Sequence, residues 1–176
     1  MTDARFPNGM ERRAATELRA AGRKLEGYAA VFDSPARVAG FTEIIKPGAF
    51  RATLEKRADV LALVDHDPSR LLARTGSGTL RLAEDSRGLH FEIDVPDTQL
   101  GRDVLALAER RDLGGMSFSF HPKAQAWPAQ DRRELRAVDL IEVSVVQAFP
   151  AYAATSVSAR SASHGAAWRR RLVEAL

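Results

Sequence analysis

The sequence predicts an α+β fold, rich in β-strand, whose antiparallel sheet is large enough to curl or close into a barrel. Three observations predict it. Short apolar runs, several with two-residue alternation, outnumber helical segments. The two helical segments of the core fall between strands. A length of 176 residues with 45% apolar content suits one domain around one core.

Residues 1–24 show only weak helical periodicity around Leu18 and read as a flexible basic arm. Leu25 to Phe32 reads as a strand, which Asp33-Ser34-Pro35 ends with turn chemistry. Phe41 to Ile45 is a second strand. Pro47 opens a short helix through Lys56, at a position where its missing N–H costs nothing. Val60 to Val64 is continuously apolar, as a buried strand is. Thr75 to Gly78 is a turn. Leu80 to Glu84 and Leu89 to Val95 flank Asp85-Ser86-Arg87-Gly88 as a hairpin.

Thr98 is the expected N-cap of a helix through Arg111, with Leu100, Val104, Leu107 and Ala108 as its buried stripe. Gly114-Gly115 stops that helix and releases the strand Met116 to His121. Leu135 to Val138 and Ile141 to Val146 follow as further strands. Pro150 and the Ala/Ser-rich run to Ser163 close the core. The domain is therefore expected over 25–154. A Ser/Ala-rich linker and basic tail follow over 155–176, with a short helix in Ala166 to Ala175.

Composition excludes several chemistries. There is no cysteine, hence no disulfide, thiolate metal site or cysteine nucleophile. The N-terminus lacks an apolar signal region and no apolar run is long enough to span a bilayer, so a soluble, cytoplasmic protein without membrane contact is expected. The net charge of +3 is unevenly placed. Residues 1–24 carry six Lys/Arg against three Asp/Glu, and residues 160–176 carry four Arg against one Glu. The core is therefore acidic, which is not the footprint of a specific nucleic-acid-binding face.

Three apolar, strand-like runs each hold one reactive side chain: His66 after Leu63-Val64-Asp65, Ser117 in Met116-Ser117-Phe118-Ser119-Phe120, and Glu142 in Ile141 to Val146. Imidazole, hydroxyl and carboxylate are the parts of an acyl-transfer triad. Alternation directs Phe118 and Phe120 one way, and Ser117, Ser119 and His121 the other. Ser119 therefore competes as nucleophile and His121 as base. Glu142 shares its strand face with Ser144; Asp139 is the rival acid. The preceding glycines allow close approach and offer N–H groups to an oxyanion. Taken singly, a histidine satisfied by a carbonyl or by Asp65, a serine on a polar strand face and a solvated glutamate are the plainer explanations. His90, Glu92 and Asp94 alternate along one strand as a rival metal set. The clean apolar face of Leu89, Phe91, Ile93 and Val95 argues for an ordinary half-buried strand instead.

The local sequences form a longer series. Leu63-Val64-Asp65-His66-Asp67-Pro68 is followed by Thr79-Leu80-Arg81-Leu82, then Pro96-Asp97-Thr98 with Gly101-Arg102-Asp103. Gly115 to Phe120 and Leu140 to Val146 come next, with Pro150-Ala151-Tyr152. Gly27 to Phe32 and Glu43 to Phe50 precede them. In order and spacing this series resembles the tailed-phage prohead serine proteases, from about Leu25 to Ala154. That resemblance implies a barrel protease similar to herpesvirus assemblin, with helices packed around it. It carries the histidine of the family onto His66, the serine onto Ser117 and the acid onto Glu142. Ser119 stands where the family often has glycine. The implied role is capsid maturation: an endopeptidase packaged inside the procapsid that cleaves the scaffolding segment of the major capsid protein, and itself. Thr155 to Ser163 is the expected self-processing stretch. No cofactor is expected, and a homodimer follows by analogy with assemblin. The rival role is a non-enzymatic capsid assembly protein derived from such a protease.

Overall fold

The computed structural model describes residues 9–15, 17–38 and 40–148. In chain order the elements are β1 (Glu11–Ala15), β2 (Glu17–Ala21), β3 (Lys24–Val31), β4 (Ala36–Val38), β5 (Phe41–Ile45) and α1 (Arg51–Glu55). Then come β6 (Leu61–Val64), β7 (Asp67–Arg74), β8 (Leu80–Glu84), β9 (Gly88–Asp94), α2 (Gln99–Glu109), β10 (Gly115–Ala129) and β11 (Arg132–Val146). The β-rich α+β character is as the sequence predicts. The single antiparallel barrel is not: the described strands divide between two sheets.

The seven-stranded sheet runs β1-β10-β11-β5-β4, with β6 also on β11 and β7 on β6. The four-stranded sheet runs β2-β3-β9-β8. The long β11 explains the departure. β10 pairs along one of its edges. The other edge takes two strands, both parallel to it: β5 at residues 132–135 and β6 at residues 142–145. Parallel pairs require a crossover, and the β5–β6 connection contains α1.

Within the flexible arm expected over 1–24, the described residues Glu11–Ala15 and Glu17–Ala21 are strands instead. β1 pairs with β10 and β2 with β3. Leu18 and Ala20 of β2 pack on the core. β1 escaped notice because its inward side chains are charged: Glu11 and Arg13 are buried. Arg13 binds the Glu43 carboxylate through Nε and, at 2.7 Å, through Nη2. Arg133 reaches Glu11 at 2.5 and 2.8 Å and Glu43 at 3.1 Å. Buried charges persist when they neutralise one another in this way, and their pattern reads as a solvated stretch. The expected linker, tail and terminal helix over 155–176 lie outside the described residues.

Leu25 and Ala29 of β3, Leu89, Phe91 and Ile93 of β9, and Met116, Phe118 and Phe120 of β10 belong to one buried cluster with Val143 and Val145. Phe50, just before α1, meets Phe118 edge-on at 5.5 Å between ring centroids. Thr98 caps α2 as expected, its hydroxyl accepting from the Gly101 N–H at 3.1 Å. Gly101 has no substitute there, since a Cβ would stand 2.1 Å from the Pro96 carbonyl oxygen.

Candidate active site

Alternation along β10 commits Met116, Phe118 and Phe120 to the core and turns Ser117 and Ser119 to the opposite face. On β11 the same face is set by a bulge. Ser119 pairs with Glu142 but Phe120 pairs with Leu140, leaving Ile141 as the extra residue. Before the bulge the even positions Val138 and Leu140 are in the core; after it the odd positions Val143 and Val145 are. That change of parity is what brings Glu142 and Ser144 to the serine face. Ser117 then lies opposite Ser144, and Ser119 opposite Glu142.

His66 comes from the two-residue turn between β6 and β7. Asp65 and His66 both have positive φ, 52° and 61°, the feature of a hairpin turn whose twist suits its strands. Such backbone is unfavourable for residues with a Cβ and persists only when the surroundings hold it. The Asp65 carboxylate accepts from the Gln147 N–H at 2.8 Å and from Arg70 at 2.7 Å. The Asp65 N–H donates to the Val145 carbonyl at 2.9 Å, and the His66 N–H donates to Ser144 Oγ at 3.2 Å. The turn is thereby tied to the end of β11, and the imidazole lies over Glu142.

His66 Nδ1 is 2.5 Å from Glu142 Oε1. Ser119 Oγ also donates to Oε1, and Ser144 Oγ donates to Oε2 at 2.5 Å. Burial pushes the Glu142 carboxyl upward, but the bond to His66, the imidazole's charge and the two hydroxyls outweigh it, holding the group below the usual glutamate range. His66 Nε2 is buried and has no hydrogen-bond partner among the described residues. With Nδ1–H held by the carboxylate, Nε2 is the nitrogen left to accept a proton.

The structure therefore brings His66, Glu142 and the serine face together. Ser119 Oγ is the hydroxyl within reach of the ring, 3.4 Å from Nδ1, and it accepts from Arg12 Nε at 3.0 Å. Ser117 Oγ is fully buried and donates to the Arg13 carbonyl at 2.8 Å. The rival base His121 lies beyond the bulge, opposite Asp139. The rival acid Asp139 is engaged by Lys123 at 2.8 Å. Of the oxyanion donors expected near Gly115 to Phe118, residues 116–118 lie in the middle strand of three. β10 has a partner on each side over residues 116–120, and the Gly114 N–H donates to Val146.

In the rival metal set, Glu92 and Asp94 are both bonded to Arg81, at 3.2 and 2.8 Å, and His90 stacks edge-on against Tyr28. Two residues were missed by the sequence reading: Arg12, masked by the apparent arm, and Ser144, visible only as a neighbour of Glu142. The parity change from Val138/Leu140 to Val143/Val145 was the signal for the bulge.

The chain matches the model of the caudovirus prohead serine protease family over residues 10–168. It belongs to that family. The match begins at residue 10, ahead of β1 and β2, which accords with their place in the sheets. The fold is also similar to that of the capsid assembly protease of bacteriophage T4. The TM-score is 0.54 at 8% identity, over 78% of this chain and 96% of that one. No curated protein sequence matches the chain. Membership gives the chain its chemical class, that of a serine protease of capsid maturation.

Proposed function

We propose that this chain is the endopeptidase that removes the scaffolding segment of a major capsid protein inside the procapsid, with Ser117 as nucleophile, His66 as general base and Glu142 as the acid that orients it. One observation carries the reading: Glu142 holds His66 through Nδ1, while buried Nε2 has no partner among the described residues and is left to accept a proton. Ser117 is the serine whose hydroxyl is held by one neutral carbonyl, so a χ1 rotation frees it. It would then attack the peptide carbonyl as Nε2 takes its proton. His66 returns that proton to the leaving amine, and water resolves the acyl-enzyme.

The 3.4 Å approach of Ser119 to Nδ1 favours a second reading, with Ser119 as nucleophile. Its proton is already given to Glu142 and its oxygen already accepts from Arg12, so it is the more committed of the two. Self-cleavage within Thr155 to Ser163 and a homodimer belong to the same proposal. Exposed small-residue segments are preferred sites of nicking.

The test is labelling with a fluorophosphonate, the labelled peptide being identified by mass spectrometry, alongside co-expression with the capsid precursor. Label on Ser117, and loss of both label and processing in Ser117→Ala, are expected. Label on Ser119 selects the second reading. A wild-type chain that neither labels nor processes is a non-enzymatic assembly protein.

A further inference from the structure

We propose that Ser119 is a positioning residue that links Arg12 of β1 to the Glu142 carboxylate and so sets how firmly that carboxylate holds His66. The inference rests on the reading of Ser117 as nucleophile.

Hydrogen-bond valence carries it. The Nε–H of arginine can only donate, and an ionised carboxylate can only accept. A serine hydroxyl has one proton to give. Ser119 Oγ accepts from Arg12 Nε at 3.0 Å, and its own proton goes to Glu142 Oε1. That direction is forced: guanidinium to hydroxyl to carboxylate. The 3.4 Å contact with His66 Nδ1 then leaves Ser119 only an acceptor's part, sharing the proton that Nδ1 directs at Glu142. A hydroxyl arranged so cannot yield its proton to that imidazole without breaking the carboxylate's support. It can steady the carboxylate.

The register makes this arrangement part of the fold. Arg12 pairs with Ser119 across β1 and β10, and Ser119 pairs with Glu142 across β10 and β11. The three side chains stand in a row across three adjacent strands. Ser119 is fully buried, and Glu142 nearly so. The groups facing Glu142 among the described residues can be named by element. His66 comes from the β6–β7 turn, Ser119 from β10, Ser144 from its own strand, and Arg12 from β1 one bond further away. β6 presents Leu61 opposite it. Arg12 is therefore the standing cation of the group, and Ser119 is what connects it to the carboxylate.

The consequence is read in pH dependence. Ser119 favours the ionised carboxylate. Without its hydroxyl the His66–Glu142 pair takes up a proton at higher pH, and the acid limb of reactivity moves upward. The test is the fluorophosphonate labelling rate of Ser117 as a function of pH, in the full chain. Ser119→Ala should still label on Ser117, with the plateau rate reduced about 10-fold and the acid limb raised by about half a pH unit or more. Arg12→Met should move the limb the same way by less. An unmoved limb in either variant overturns the inference, even where the rate falls. Ser119→Ala without label, with Ser117→Ala labelled on Ser119, overturns the inference and leaves the peptidase intact. A wild-type chain without label overturns both.

Discussion

The Glu142 carboxylate takes bonds from His66, Ser119 and Ser144, and those three donors let a negative charge sit on a strand with apolar neighbours. Replacing it by the isosteric amide in Glu142→Gln removes the charge that fixes the imidazole's tautomer. The fluorophosphonate labelling rate should fall by about 10⁴-fold, with circular dichroism unchanged. A variant labelling at the wild-type rate would remove Glu142 from the mechanism. Asp65 acts on the same ring through the turn that carries it. Its carboxylate holds the positive-φ turn through Gln147 and Arg70. Asp65→Ala keeps the unfavourable backbone and loses both bonds, so urea unfolding should show a loss of about 1–3 kcal/mol.

At the scale of elements, β1 is the strand that reaches both serines, through Arg12 and through the Arg13 carbonyl. It is fastened by the Glu11–Arg13–Glu43–Arg133 group. Arg133→Ala strips Glu11 of its bidentate partner and leaves buried carboxylates under-paired. The expected cost is about 3–5 kcal/mol, measured by denaturant unfolding; a loss below about 1 kcal/mol would mean the group relaxes into water. The same strand shows what was legible beforehand and what was not. His66, the serine pair and Glu142 each stood out because one reactive side chain interrupts an apolar run, and that contrast survives in sequence. β1 did not, because mutually neutralised charges look solvated. β7 did not, because Asp67-Pro68-Ser69 has turn composition; it is tolerated in a strand paired on one side, by β6. β10 runs on past Pro122 for a related reason: beyond Phe120 its β1 edge has no partner strand among the described residues. Strands expected separately at Leu135 to Val138 and Ile141 to Val146 are one strand, and the apparent break is the bulge at Ile141.

For the molecule as a whole, the buried carboxylates make stability depend on acid. Burial raises the Glu11 carboxyl, as it does that of Glu142. The bond from Arg133 and the charges of Arg13 and Arg133 outweigh it and hold Glu11 below the ordinary range. The native state therefore binds fewer protons than the unfolded chain where these two groups titrate. Their contribution is complete above the ordinary glutamate value of about 4.3 and is lost as pH falls through their lowered values. Urea midpoints should stay level from neutrality to about pH 5 and drop steeply below about pH 4. A midpoint unchanged at about pH 3 would show that neither carboxylate is coupled to folding.

Arg12 meets Ser119 across 107 residues of chain, Arg13 meets Ser117 across 104, and His66 meets Glu142 across 76. Each contact joins a part made early by the ribosome to one made late, and contacts of such long sequence separation form slowly. A nascent chain that has not yet emerged through Glu142 lacks the carboxylate that holds His66 and leaves β10 without its β11 neighbour. Under the proposed triad, hydrolytic competence is thus postponed until translation of the domain is essentially finished.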